Sequence, residues 1–278
     1  MNTKNLKKDF FKYQAKTSRF ASGFEVDYAK GSYIYGKDKR AYLDFAAGVS
    51  ANTLGHSFPR IIDAIKEQAE RHLHVMVYGE YAQEKPVELC KRLAEVLPDP
   101  LDTTYLVNSG TEAIEASMKL AKRFTGREEI IACTDAYHGN TQGSLSLAGR
   151  EEKKRAFRPL LPMIDFIRFN SEEDLSKITK KTAGVVVETI QGASGFRVPK
   201  EDYLKKLKAR CEEVGALLIL DEIQPGFGRT GKLFAFEHYD MVPDVLVMGK
   251  GMAGGMPIGA FTASAELMDC LSHSPRLG

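Results

Sequence analysis

Short apolar runs alternate with amphipathic stretches along most of this chain. From Arg60 onward, Ile61, Ile65 and Ala69 recur at helical spacing, and Val87, Cys90, Leu93 and Leu97 do so again. TYLV (104–107) predicts a strand, and a helix follows it. That helix has Ile114, Met118 and Ala121 on one face and Glu115, Lys119 and Lys122 on another. EIIAC (129–133), IDFIRF (164–169), GVVVE (184–188), ALLIL (216–220) and VLVM (245–248) predict further strands. Leu204, Leu207, Cys211 and Val214 mark the helix before ALLIL, and Gly215 supplies its stop. Near-continuous apolar runs between amphipathic helices predict an α/β fold whose mostly parallel sheet is buried on both faces. Upstream, SYIYG, KDKR and AYLDF read as a hairpin, and 48–59 reads as an ordered polar loop.

Charge and composition narrow the function classes. The 278 residues carry 39 Lys+Arg against 37 Asp+Glu, a formal net charge of +2. Without a basic block there is no electrostatic footprint for nucleic acid. No apolar stretch approaches the ~20 residues that span a bilayer, so no membrane partner is expected. The charged N-terminus lacks the apolar core of a secretory signal. Cys90, Cys133, Cys211 and Cys270 are scattered, with no CxxC or CxH pair, and read as single core side chains. A cytoplasmic protein without a metal site is the expectation.

In open α/β sheets, ligands bind at the carboxyl ends of parallel strands. Four of these ends carry unusual residues. Asn108-Ser109-Gly110-Thr111-Glu112-Ala113 joins a strand to a helix, and reads either as an anion site or as a plain N-cap. Tyr137-His138-Gly139-Asn140 follows EIIAC, and reads either as an aromatic placed to stack on a flat ring or as a surface loop. Asp221 and Glu222 end a fully apolar strand, where two adjacent carboxylates are costly unless paired. One of them suits a cationic ring nitrogen or a metal. A Walker-B reading lacks its partner, because the chain contains no GxxxxGK[ST].

Lys250 ends the VLVM run among glycines, where desolvation lowers an amine's pKa and activates it for Schiff-base chemistry. Gly249, Gly251 and Gly254 match GxGxxG, but Pro257 and the strand-like IGAFT follow where a dinucleotide site needs a helix. Taken together, a phosphate cup, a stacking aromatic, a carboxylate for a ring nitrogen and a desolvated lysine are the four parts that hold pyridoxal 5'-phosphate.

The chain resembles the class III aminotransferases, pyridoxal-phosphate enzymes of fold type I, from about Gly31 to its end. The resemblance rests on LDFAAGVSANTLGH, NSGTEAIEASMKLAK, YHGNT, VVVETIQGASG, LDEIQPGFGRTG and DVLVMGKGMAGGMPIGAF in that order. It implies that Lys250 is the Schiff-base lysine and that Asp221 pairs with the ring nitrogen. It also implies that Gly110 and Thr111 hold the phosphate, Tyr137 stacks on the ring and Gln224 lies near the ring's phenolic oxygen. Glu188 supports the Asp221 site, and Ser109, His138 and Ile223 complete the cofactor-binding set. On the substrate side the resemblance points to Val49, Tyr78, Asn140 and Ala193. Acetylornithine and 4-aminobutyrate enzymes typically carry arginine where Asn140 stands. Ornithine-type members carry glutamate where Ala193 stands, and alanine there is more like the ω-amine transaminases.

The implied function is transfer of a distal amino group to a 2-oxo acid in a ping-pong cycle, by a homodimer with shared sites. An aminomutase, a decarboxylating relative, and a non-catalytic or nicotinamide-binding α/β protein are the alternatives. By resemblance, 1–59 belongs to a small α+β domain and 60–278 to the cofactor-binding large domain. The family continues well past its lysine, so the chain reads as a truncated view of a longer enzyme. Poor solubility and little activity are expected of it alone.

Overall fold

Every apolar run from TYLV onward forms a strand in the computed structural model of the chain, which describes residues 5–76, 79–200 and 202–273. The chain divides into two units, Met1–Leu73 and His74–Gly278.

The first unit holds α1 (Leu6–Tyr13), β1 (Val26–Lys30), β2 (Tyr33–Gly36), β3 (Ala41–Leu43), α2 (Ala47–Ser50) and α3 (Pro59–Arg71). β2 and β3 are the expected hairpin, and β1 pairs antiparallel on the other side of β2. β1 escaped the sequence reading because its only large apolar side chains, Val26 and Tyr28, face solvent. The expected ordered loop is tied down from Asp44. One carboxylate oxygen accepts the N–H groups of Ala46 and Ala47, and the other lies 2.7 Å from His56 Nε2.

The second unit begins with α4 (Glu84–Val96), β4 (Thr103–Val107), α5 (Gly110–Thr125), β5 (Glu129–Cys133), α6 (Gln142–Ser146) and α7 (Glu151–Lys154). It continues through β6 (Ile164–Ile167), β7 (Thr182–Glu188), α8 (Tyr203–Val214), β8 (Leu217–Asp221), β9 (Val245–Gly249), β10 (Gly259–Ala263) and α9 (Ala265–Asp269). Its seven strands lie in the order β4-β10-β9-β8-β7-β5-β6. From β9 to β6 all neighbours are parallel, whereas β10 runs antiparallel to both β4 and β9.

Alternation along the strands divides the interior between the two faces. Ile131, Val185, Leu218, Leu220, Leu246 and Met248 pack with Leu93 of α4 and Leu204, Leu207 and Cys211 of α8. Ile130, Val186, Ile219, Val245, Val247 and Phe261 pack with Ala113, Ile114 and Met118 of α5. Each fully buried branched aliphatic stabilises the fold by roughly 1.5–3 kcal/mol relative to exposure. Cys133 and Cys211 sit in the first of these clusters, and burial pushes both thiols up to about 12. Gly215, at φ 69°, ends α8 as expected, and its N–H bonds back to the last turn. After β9 the GxGxxG stretch forms one 3-10 turn, Lys250–Ala253, and the chain returns as β10. No helix opens there.

Candidate active site

Asp221 and Glu222 are neighbours that strand geometry sends to opposite faces. Asp221 follows Leu217 and Ile219 onto the α5 face, where Oδ2 lies 2.8 Å from His138 Nδ1 and Oδ1 accepts the Ile223 N–H at 3.0 Å. Glu222 follows Leu218 and Leu220 to the other face, where its two oxygens accept the N–H groups of Ala235 and Phe236 at 2.9 and 2.8 Å. Each carboxylate thus has its own hydrogen-bond donors, which resolves the cost noted in the sequence. Full burial pushes the Glu222 carboxyl up to about 7.

Glu188 lies beside Asp221 in the β7–β8 register. Its oxygens accept the Tyr137 and Gly192 N–H groups, both at 3.1 Å, so it ties the loop after β5 to the loop after β7. Burial raises its carboxyl to about 7, and the Asp221 charge adds to that while the His138 charge opposes it. His138 is 2% exposed. Burial works against its charged form, but the Asp221 hydrogen bond and the charges of Asp221 and Glu188 outweigh it, and its pKa is raised. A carboxylate only accepts, so His138 Nδ1 carries the hydrogen of that bond. Its other nitrogen, Nε2, is buried without a partner.

Lys250 reaches the same place by leaving the strand. Continued extension would carry position 250 after Leu246 and Met248, away from Asp221. Instead its backbone turns at φ 44°, a conformation a non-glycine residue holds at a cost of about 1 kcal/mol or more. The side chain lines the cavity that Asp221 also lines. Burial lowers its pKa, against the pull of the Asp221 and Glu188 charges.

The opposite wall is the start of α5. Ser109 caps it, with Oγ accepting the Glu112 N–H at 3.4 Å. The N–H groups of the first turn have no intrahelical acceptor and carry the positive end of the helix dipole. Thr111 Oγ1 stands beside them, 2.7 Å from Thr141 Oγ1 and 2.6 Å from Ser144 Oγ. The loop can close over this turn because position 139 has no side chain. A Cβ on Gly139, at φ 128°, would collide with Thr111 and Ser144.

These walls enclose a cavity of about 250 Å³. The structure brings Gly110, Thr111, Tyr137, His138, Asn140, Glu188, Asp221, Ile223, Gln224 and Lys250 together around it. Tyr137 is 47% exposed at its mouth, and Ile223 fills the space beside Gly110 where a Cβ would stand. Ser109 lies one residue behind, occupied with its cap. Ala193 is exposed on the turn after Gln191 and does not line the cavity. Val49 is in the first unit, 65% exposed at φ 57°, and Tyr78 lies outside the described residues.

Sequence reading missed Glu115, Thr141 and Ser144, which pack around Thr111. The available signal was spacing. Glu115 lies four residues after Thr111 on α5, and helical side chains lean toward the N-terminus.

The donor set fits pyridoxal phosphate. It offers helix N–H groups and a hydroxyl for an anion, a carboxylate for a cationic nitrogen, an exposed aromatic and an amine of lowered pKa. The partnerless His138 Nε2 is a buried donor or acceptor on the same wall. Among the described residues no group of three or more His, Cys, Asp or Glu could hold a metal ion.

Comparison with known proteins identifies the family of the chain. Acetylornithine aminotransferase of Methanopyrus kandleri is 40% identical over 241 residues, 86% of this chain and 61% of its own length. LysW-aminoadipate semialdehyde/glutamate semialdehyde transaminase of Sulfolobus acidocaldarius is 43% identical over 236 residues, 85% of this chain and 60% of its own. Ornithine aminotransferase of Toxoplasma gondii superposes with a TM-score of 0.89 at 31% identity, covering 98% of this chain and 66% of that one. That structure is described as showing partial occupancy of pyridoxal phosphate at the active site. The chain spans about 60% of the length of the curated relatives it matches. The family profile for aminotransferase class-III matches residues 13–277, and the chain belongs to that family.

Proposed function

We propose that this chain carries the cofactor site of a pyridoxal-phosphate-dependent aminotransferase, which moves a distal amino group from a donor to a 2-oxo acid. The observation that carries this reading is the placement of Lys250. A burial-depressed amine shares one cavity with the His138–Asp221 pair and the open start of α5.

When bound, pyridoxal phosphate supplies an aldehyde that condenses with amines and a ring that accepts carbanion electrons. Lys250 Nζ, deprotonated more readily than a solvated lysine, would be the amine that holds the aldehyde, and a base able to take a proton from the carbon bearing the donor's amine. Asp221 would keep a proton on the ring nitrogen, and His138 and the Ile223 N–H fix its carboxylate so that it does not turn away. The α5 N-terminus and Thr111 would hold the phosphate, and Tyr137 would stand against the ring. Glu188 holds the backbone of Tyr137, so the aromatic is placed from behind.

The named relatives support a distal amine, since ornithine and acetylornithine both end in a primary amine on an alkyl chain. Asn140 and Ala193 leave this chain without the arginine and glutamate of the most similar specificities, which favours a donor other than acetylornithine or 4-aminobutyrate. The division at 1–59 and 60–278, a homodimer with shared sites and a cytoplasmic location complete the reading. Family resemblance supports the first two, and four thiols that pack as single side chains support the third. Among the described residues no helix is long and apolar enough to cross a membrane.

The test is a half-reaction. Given cofactor and amino donor alone, the protein releases one oxo product per bound cofactor. An aminomutase returns an isomer of the donor, and release of carbon dioxide marks the decarboxylating alternative.

A further inference from the structure

Gly192 has no conformational reason to be glycine. Its φ lies outside the left-handed region, unlike that of Gly195 three residues on, so an alanine would fit its backbone. A glycine at such a position costs stability, because the unfolded chain gains freedom and the folded chain gains nothing in return. Contact supplies the reason. A Cβ on Gly192 would collide with Gln224 Oε1, and would stand 2.8 Å from Gln224 Cδ and 3.5 Å from Nε2. The three nearest atoms are thus those of one amide.

How each partner is held decides which of them would yield. The backbone at 192 is pinned. Its N–H donates to Glu188 Oε1 at 3.1 Å, and its carbonyl accepts the Gly195 N–H at 3.1 Å. Gln191 beside it exchanges backbone hydrogen bonds with Arg197 and donates from Nε2 to the Thr134 carbonyl at 3.0 Å. The backbone on either side of Gln224 is pinned as well, by the Ile223 N–H on Asp221 Oδ1 and the Gly226 N–H on the Glu222 carbonyl. What can swing is the Gln224 side chain, through its staggered rotamers. Gln224 lines the cavity together with Asp221 and Lys250, so an amide pushed off Gly192 leaves its place at the site.

We propose that Gly192 is a positioning residue, which by presenting no side chain lets the Gln224 amide rest against the loop after β7 and holds it where it meets the bound cofactor. This rests on the pyridoxal-phosphate reading above and extends it to a residue that acts only through another. The Glu188 carboxylate that holds the Tyr137 N–H then also fixes the surface on which the amide rests.

The experiment is a double-mutant cycle. Dissociation constants for pyridoxal phosphate are measured by equilibrium dialysis for the unaltered protein, Gly192→Ala, Gln224→Ala and the double variant, each with its urea midpoint without cofactor. One neutral hydrogen bond is worth about three- to tenfold in affinity. Gly192→Ala and Gln224→Ala should each weaken binding by about that factor, and the double variant should bind no more weakly than Gln224→Ala alone. Gly192→Ala should leave the urea midpoint unchanged or raised, which the loss of a merely structural glycine would not do. The proposal is overturned if Gly192→Ala binds as well as the unaltered protein, if its loss persists beside Gln224→Ala, or if it unfolds at lower urea or fails to fold. Unchanged affinity of Gln224→Ala overturns it too and leaves the cofactor reading standing. An unaltered protein that binds no cofactor refutes that reading, and the proposal with it.

Discussion

Asp221 Oδ2 lies 2.8 Å from His138 Nδ1, with both side chains buried. Asp221 ends β8 and His138 lies on the loop after β5, and neither carboxylate nor imidazole has solvent to replace the partner. Replacing His138 by Phe leaves a buried carboxylate oxygen without its donor. Unfolding free energy should fall by about 1–3 kcal/mol, the usual cost of an orphaned buried polar group. Urea denaturation measures it, and a variant as stable as the unaltered protein would show that the pair contributes nothing.

Three buried groups give stability the same pH slope. Glu188 and Glu222 are each raised to about 7, so between the ordinary glutamate value and 7 the folded chain binds more protons than the unfolded one. Stability then falls as pH rises. His138 is also raised, so its contribution is complete below the ordinary histidine value and is lost as pH climbs through the raised one. The urea midpoint without cofactor should be higher at pH 5.5 than at pH 8, and Glu188→Gln should flatten the difference. A midpoint that rises over that interval contradicts these assignments.

Gly139 is required by contact as well as by conformation. At φ 128° an alanine is strained, and its Cβ would meet the Thr111 and Ser144 hydroxyls. Gly139→Ala should weaken pyridoxal-phosphate binding by at least tenfold, as expected of a lost charged hydrogen bond and a displaced loop. Equilibrium dialysis against the cofactor measures this, and unchanged affinity would mean that the loop does not close the cup.

Asn140 lines the cavity and is exposed. An arginine there places a fork of donors where a carboxylate can be bound. Asn140→Arg should lower KM for carboxylated donors severalfold and leave putrescine, a diamine without a carboxylate, unimproved. Equal gains for both would remove Asn140 from the account of specificity.

Legibility of this chain followed its physics. GVVVE, ALLIL and VLVM were readable as buried strands because both faces are apolar, and Asp221 and Lys250 stood out because each interrupts such a run. The direction of β10 was not readable. IGAFT is apolar whichever way it runs, and the local approach of Gly259 to the Ser109 backbone appears only in three dimensions. Asp221 and Glu222 read together as two costly neighbouring carboxylates, yet alternation sends them to opposite faces, each with its own donors. Glu115 looked like part of a polar helix face, because its partners Thr141 and Ser144 lie at the start of α6, 26 and 29 residues further along the chain.

The central claim is that Lys250 is the amine that engages the cofactor. Borohydride reduction of the protein with pyridoxal phosphate, followed by peptide mass analysis, tests it most directly. The account predicts one phosphopyridoxyl group per chain on the peptide containing Lys250, and none on Lys250→Ala. Attachment scattered over surface lysines, or undiminished labelling of Lys250→Ala, would contradict it.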